Sequence, residues 1–283
     1  MAGWLRRWLA TQLGIAELRA QTEYLLLMSM NSATSPDVGQ AGHDRLVARY
    51  YDLLQRVQPT IFCDVGAYDG SAGAEVKRRL PDCEVMAFEA NPRIHAKFKD
   101  DARLAQISYR NLVISDRAGM TKLYPPKMMF ETYVDRDLVP STKPERPDTK
   151  RTSLLPRTQN ASYEDCEALS IRLDDVMRRE FGDLGRHRVA LWIDVEGAVD
   201  KVLAGAPETL ASSSAVMVEA ETMQFWKDQK LASDISSTLM NSGFVPVARD
   251  REIDDRQFNI LFLHHRVLPL VYPDLFLLAQ RPE

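Results

Sequence analysis

Ile61-Phe62-Cys63-Asp64-Val65-Gly66-Ala67-Tyr68-Asp69-Gly70 and, further on, Glu84-Val85-Met86-Ala87-Phe88-Glu89-Ala90-Asn91-Pro92 decide the fold of this chain. Each is a short apolar run that closes on acids and turn-forming residues, the pattern of a buried strand meeting a loop. Between them a helix is expected over 72–80, stopped by Pro81. Pro92 is suited to a first helical turn, so a second helix is expected over 92–103, and Ile107 to Ser115 reads as the third strand. Strand, helix, strand, helix, strand predicts a parallel sheet with right-handed crossovers.

The rhythm resumes further along. Leu169 to Leu173 reads as a short edge-like strand with a helix from Asp174. Val189 to Ile193 reads as a strand buried on both faces. Asp194-Val195-Glu196-Gly197-Ala198 then opens a helix to about Ala204. Ala215 to Val218 is the next strand, ending at Glu219. A helix is expected over 230–242 with Gly243 just past its end. Phe244 to Ala248 and Asn259 to Leu263 form a closing strand pair, and the tail 267–283 packs on the outside.

The flanks are less regular. Residues 4–30 carry an apolar stripe at helical spacing (Leu5, Leu9, Leu13, Ala16, Ala20, Tyr24, Leu27), followed by a linker from Asn31 to Gly42. The arm packs on the domain or on a second copy of the chain. An alternative lays it on a membrane surface, Trp4 and Trp8 at the interface and Arg6 and Arg7 toward lipid phosphates. This gives a helical arm and linker over 1–43 and one domain over 44–283, with a helix at 44–57. Six of the fifteen prolines lie between Pro125 and Pro156, so 124–160 reads as an irregular lid, substrate loop or inert insertion.

Composition excludes several classes. A net charge of −4 on 283 residues does not supply the basic field that duplex nucleic acid requires. The three cysteines, Cys63, Cys83 and Cys166, form no CxxC pair and read as reduced thiols of a cytoplasmic protein, with a membrane-peripheral placement as the alternative. The five histidines have no zinc-ligand spacing with them.

In open α/β sheets ligands bind beyond the carboxyl ends of the strands. Polar residues gather there: Asp64, Gly66, Asp69 and Gly70; Glu89 and Asn91; Ser115 and Asp116; Asp194 and Glu196; Glu219 and Glu221. Any one acid serves equally as a helix cap; five strand ends together point to a ligand. The first turn carries two acids and lacks the paired glycines a dinucleotide pyrophosphate needs. Acids there suit an amino group and a sulfonium, and Glu89 is placed to accept from both ribose hydroxyls. The pair therefore fits S-adenosylmethionine (SAM).

The sequence resembles the FkbM family of SAM-dependent methyltransferases. The resemblance rests on Phe62 to Ser71, Met86 to Pro92, Asn111 with Ser115-Asp116, Thr152-Ser153-Leu154, Ile171 to Asp174, Leu191 to Ala198 with Val202 to Ala206, and Asn259 to Leu263, and covers roughly 58–265. It implies an α/β, Rossmann-like class I methyltransferase fold: a seven-stranded, mostly parallel sheet with helices on both faces and a final antiparallel hairpin. It also implies methyl transfer to an oxygen, typically a hydroxyl of a sugar in a glycan or glycolipid, or of a small secondary metabolite. A binding module that has lost its chemistry is the third reading. Trp192 and Val199 depart from the family pattern, which has a lysine and a second acid there.

For cofactor binding the candidates are Asp64, Gly66, Ala67, Tyr68, Asp69, Gly70, Ser71, Glu89, Ala90, Asn91, Asn111, Ser115 and Asp194. For chemistry they are Asp194, Glu196 and Glu219, because an alcohol is a poor nucleophile and gains from a base or a metal. Arg151, Thr152, Ser153 and Glu221 are placed on the acceptor, with Arg157 flanking. Glu219 and Glu221 complete a carboxylate cluster able to take Mg²⁺. His95, His264 and His265 are alternative bases.

Overall fold

The computed structural model describes residues 40–129, 131–134, 137–140, 152–158, 161–250 and 256–272. The expected arm over 4–30 and Arg151 lie outside the described residues.

Seven strands form the main sheet. In spatial order they are β13 (Phe244–Arg249), β14 (Gln257–His264), β12 (Ser213–Glu221), β11 (Val189–Ile193), β1 (Ile61–Val65), β2 (Glu84–Phe88) and β3 (Ser108–Arg110). β14 alone runs against its neighbours, β12 and β13; the other pairings are parallel. β1 and β11 are buried at every position, as central strands covered on both faces must be. Helices cover both faces. Residues of α4 (Leu173–Phe181), α5 (Val199–Ala204), α6 (Pro207–Ala211) and α7 (Ala232–Asn241) belong to one core. Those of α1 (Gln40–Val57), α2 (Ser71–Arg79) and α8 (Leu268–Val271) belong to the other.

Four expectations need correction. The strand expected over 107–115 is two strands. β3 ends at Arg110, and β4 (Val113–Ile114) leaves the main sheet to pair with β10 (Cys166–Ile171). The break falls at Asn111, whose side-chain amide donates to the carbonyls of Glu89 and Ala90 just past β2. β10 is consequently no edge of the main sheet but the middle of a second one, between β4 and β5 (Gly119–Leu123). Residues 124–160 are also not wholly irregular. β6 (Pro126–Met129) pairs with β9 (Ala161–Tyr163), and β7 (Glu131–Val134) with β8 (Asp137–Pro140). The helix expected over 92–103 stops earlier: α3 spans Pro92–Phe98, and the side chain of Asp101 caps a separate short turn over Ala102–Leu104.

The start of α1 matters most for the site. It begins at Gln40, inside the expected linker, and buries Gly42; Gln40 donates to Asp44 at 2.7 Å, one turn along. Eighteen residues span about 27 Å, whereas the five-residue β1 spans about 17 Å. Because α1 runs down to the turn that feeds the start of β1, its first turn reaches the carboxyl ends of the strands.

Candidate active site

At those ends lies a cavity of about 780 Å³. Gly66, just past β1, has φ +87, and a Cβ on it would fall 1.9 Å from the carbonyl oxygen of Asp194. Glycine lets the ends of β1 and β11 close on each other there. The amides of Gly66 and Ala67 both donate to Phe88 O. Tyr68 is left-handed without being glycine (φ 46). Its amide donates to Glu89 Oε2 at 2.9 Å, and Tyr109 Oη binds its carbonyl. Gly70 closes the turn by donating to Ala67 O and does not line the cavity; Ser71 and Asp69 do.

Glu89 is held from two sides: the amide of Asn91 donates to its other oxygen at 2.6 Å. A carboxylate has about four acceptor positions, so these bonds fix its orientation and leave capacity for a ligand. Asn91 and Asn111 are supports rather than lining residues. Asn91 Oδ1 caps α3, and its amide reaches Thr152 Oγ1 at 2.9 Å. Thr152, Ser153 and Leu154 line the cavity, and Ser153 Oγ donates to Glu196 O. This short segment thus ties the loop after β2 to the loop after β11 across the cavity. Ser115, placed on the cofactor by sequence, lies away from it: it donates to Asp116, and its carbonyl abuts Gly205.

Side-chain alternation organises the other half. Trp192 on β11, Met217 on β12 and Leu261 on β14 point into the core shared with α1. The same parity brings Asp194, Glu219 with Glu221, and Asn259 with Gln257 to that side. Asp194, Glu196 and Glu219 line the cavity; Glu221 does not. It is buried, accepts from Gln229 Nε2 at 2.7 Å, and burial pushes its carboxyl up to about 8. The expected strand end at Glu219 was too early: β12 continues through Glu221. Gly197 (φ +72) lets Trp226 pack on the loop, where a Cβ would meet the indole at 2.8 Å. Arg157 stacks over that indole at 5.0 Å.

Sequence reasoning missed Gln40, His43, Asp44, Val47 and Tyr51 of α1, and Gln257 of β14, all of which line the cavity. The available signal was helical spacing running back from Val47 through Gly42, obscured by reading Gly42 as a linker residue. His264 and His265, named as alternative bases, sit instead at the start-side edge of the sheet beside Gly243. His95 stacks on Tyr109 and does not line the cavity.

A family model described as the methyltransferase FkbM domain matches residues 64–246. The chain belongs to the FkbM methyltransferase family. The curated 2-O-methyltransferase NoeI of Sinorhizobium fredii is 26% identical to this FkbM protein over 179 residues, 62% of this chain and 69% of that one. Among solved structures, the precorrin-6y C5,15-methyltransferase of Geobacter metallireducens GS-15 overlaps 77% of this chain and 87% of its own, at 9% identity and TM-score 0.41. Human N-acetylserotonin methyltransferase in complex with SAM overlaps 74% and 48%, at 11% identity and TM-score 0.34. Neither overlap is close enough to transfer a ligand position.

This FkbM protein is a SAM-dependent methyltransferase, and the residues at its strand ends fit that cofactor. Seven carboxylates line the cavity (Asp44, Asp64, Asp69, Glu89, Asp194, Glu196, Glu219), and among the described lining residues there is no lysine or arginine. Such a wall repels a pyrophosphate and favours a ligand carrying sulfonium and ammonium charges. Burial pushes both Asp64 and Glu89 up to about 7, and the nearby charge of Asp194 adds to each. Asp64 is otherwise held by the amide of Gly73 at 3.2 Å. Asp64 and Glu89 would face the cofactor's cationic and ribose groups. No helix among the described residues is long and apolar enough to cross a membrane.

A raised carboxyl pKa means the folded protein holds extra protons between the unfolded value near 4 and about 7, so the ligand-free fold loses stability as pH rises through that window. A cation binds the ionised carboxylates. SAM affinity should therefore rise with pH across this range, by up to about tenfold per unit for each linked proton, and level off above pH about 8. Calorimetry at stepped pH checks this; a flat profile would show that these carboxylates do not face the cofactor. Glu89→Gln keeps the side chain's shape but loses charge and one acceptor, and is expected to weaken SAM binding about tenfold to a hundredfold. Unchanged affinity would remove Glu89 from the cofactor site.

Proposed function

We propose that the protein transfers the SAM methyl group to a hydroxyl oxygen of a sugar, in a glycan or glycolipid. The observation that carries this reading is the polar lining on the α1 side of the cavity: Gln40, His43, Asp44, Asp194, Glu219 and Gln257. Clustered carboxylates and amides match an acceptor with several neighbouring hydroxyls; an aromatic metabolite would be better served by an apolar wall. A family relative named as a 2-O-methyltransferase supports oxygen as the acceptor atom.

When bound, SAM supplies a methyl carbon activated by the positive sulfur. The protein's part is to align the acceptor oxygen, exclude water and receive a proton. Asp194 is well placed to orient the acceptor: it is exposed at the end of β11, and its charge is felt by Asp64, Glu89 and Glu221 alike. Thr152 to Leu154 would close over the acceptor from the opposite wall.

A second reading has a specific basis. Carboxylate oxygens of Glu196, Glu219 and Glu221 lie within 4.8 Å of one another, an oxygen-rich grouping of the kind that suits Mg²⁺. Under it, EDTA should abolish turnover and Mg²⁺ restore it; full activity in EDTA would dismiss the cation.

The deciding experiment compares cell-surface glycans, by mass spectrometry, from cells with and without the gene. Loss of one CH₂ from a sugar residue supports the proposal. Unchanged glycans with a demethylated small metabolite would favour the alternative acceptor class.

A further inference from the structure

Asp250 is buried just past β13, with its side chain fully enclosed. Its Oδ1 accepts from the amide of Asn259 at 2.6 Å, and its Oδ2 accepts from Asn259 Nδ2 at 2.9 Å. The remaining side-chain partner among the described residues is His43, whose Nδ1 lies 3.1 Å from Oδ2. The carboxylate can only accept, so Nδ1 carries the proton; the longer 3.4 Å approach of Asn259 Nδ2 to Nδ1 follows from both groups sharing that oxygen. Both polar contacts of the His43 ring among the described residues fall at Nδ1, the hydrogen bond to Asp250 and the non-bonding approach of the Asn259 amide, which leaves Nε2 as the basic nitrogen. The ring is 32% exposed and lines the cavity on the side where Asp194 and Glu219 project.

A buried acid that fixes one ring nitrogen and leaves the other facing a ligand cavity is the arrangement that makes histidine a directed base. We propose that His43 takes the proton of the acceptor hydroxyl, with Asp250 as the positioning residue behind it. The proposal rests on the methyltransferase reading above and assigns the proton, which that reading leaves open between carboxylates. In the balanced step an acceptor oxygen lone pair forms the O–CH₃ bond. The C–S bond breaks with its electrons passing to sulfur, which becomes a neutral thioether. The O–H proton passes to Nε2 of His43, giving an imidazolium paired with Asp250. Asp194 orients the acceptor and keeps its charge. The groups facing His43 are Asp250, Asp194 and Asp44; together they raise it above the ordinary histidine value of 6.5, suiting a base at neutral pH.

The test uses histidine-labelled full-length protein and nitrogen NMR. Neutral His43 should carry its proton on Nδ1 and titrate above 6.5, and Asp250→Asn should move that titration down. Turnover is measured with SAM and methyl glycosides of fucose, rhamnose and glucose. His43→Gln should lower kcat about 10²- to 10³-fold, with SAM affinity by calorimetry within about twofold of wild type and an unchanged melting profile. In wild type kcat should rise with pH through the His43 titration, and Asp250→Asn should shift that limb to lower pH, which a merely structural role would not do. A proton on Nε2, or turnover by His43→Gln close to wild type, overturns the assignment. Wild type that does not bind SAM overturns the methyltransferase reading instead. Wild type that binds SAM but methylates no glycoside counts against the sugar, and the tautomer and titration then decide His43.

Discussion

Asp194→Asn is expected to lower turnover at least a hundredfold while leaving SAM affinity within about threefold of wild type. Asp194 is exposed at the end of β11, at the meeting point of the cofactor wall and the α1 wall. The amide preserves its size, so the loss reads its charge. A second signature accompanies it. Asp194 raises the carboxyls of Asp64, Glu89 and Glu221 and the imidazole of His43 through its negative charge. In the Asn variant each of these groups should titrate lower, visible as an acid shift in the pH dependence of SAM binding. Near-wild-type turnover would remove Asp194 from the acceptor side. Lost turnover with no shift in titration would mean that its charge acts on the acceptor alone and not on the neighbouring carboxyls.

Gly66→Ala is expected to be the most damaging single substitution in the cofactor turn. Two costs add. A left-handed backbone costs an alanine about 1–2 kcal/mol. The larger cost is the new Cβ 1.9 Å from the Asp194 carbonyl oxygen, a backbone atom that cannot swing aside as a side chain could. Together they should exceed about 4 kcal/mol and lower the melting temperature by roughly 10 °C, with loss of SAM binding. Gly182→Ala separates the two costs: nothing lies within 4 Å of the added carbon, so backbone strain at its φ of +69 and ψ of −118 is the whole cost. That variant should lose about 1–3 kcal/mol and keep its ligand. Equal effects at both positions would refute the close-approach argument.

Strands β1, β2 and β11 were legible because a central parallel strand is a mostly apolar, buried run, and each run closes on acids or glycine. The cofactor half was legible for the same reason: Asp64 to Ser71 and Glu89 lie directly on those strand ends, so local order gives their location. The acceptor half was harder. Glu221 reads as a site residue, yet β12 runs two residues further than its apolar pattern shows and carries that carboxylate to Gln229. Ser115 reads as the end of the third strand, yet the Asn111 side-chain amide bonds the Glu89 and Ala90 carbonyls and the chain departs to another sheet. Neither event has a periodic signature, because each depends on a partner distant in sequence.

The sequence by itself determined the α/β class, the turn at Asp64–Gly70, the carboxylate at Glu89 and the Asp194–Ala198 stretch, since each depends on neighbours within one strand–loop–helix unit. Only the tertiary structure decided that α1 reaches the mouth of the cavity and that His43 meets Asp250. Those residues are 207 positions apart. They join because a helix longer than the strands it covers must overhang their carboxyl ends, and because β13 ends beside the overhang.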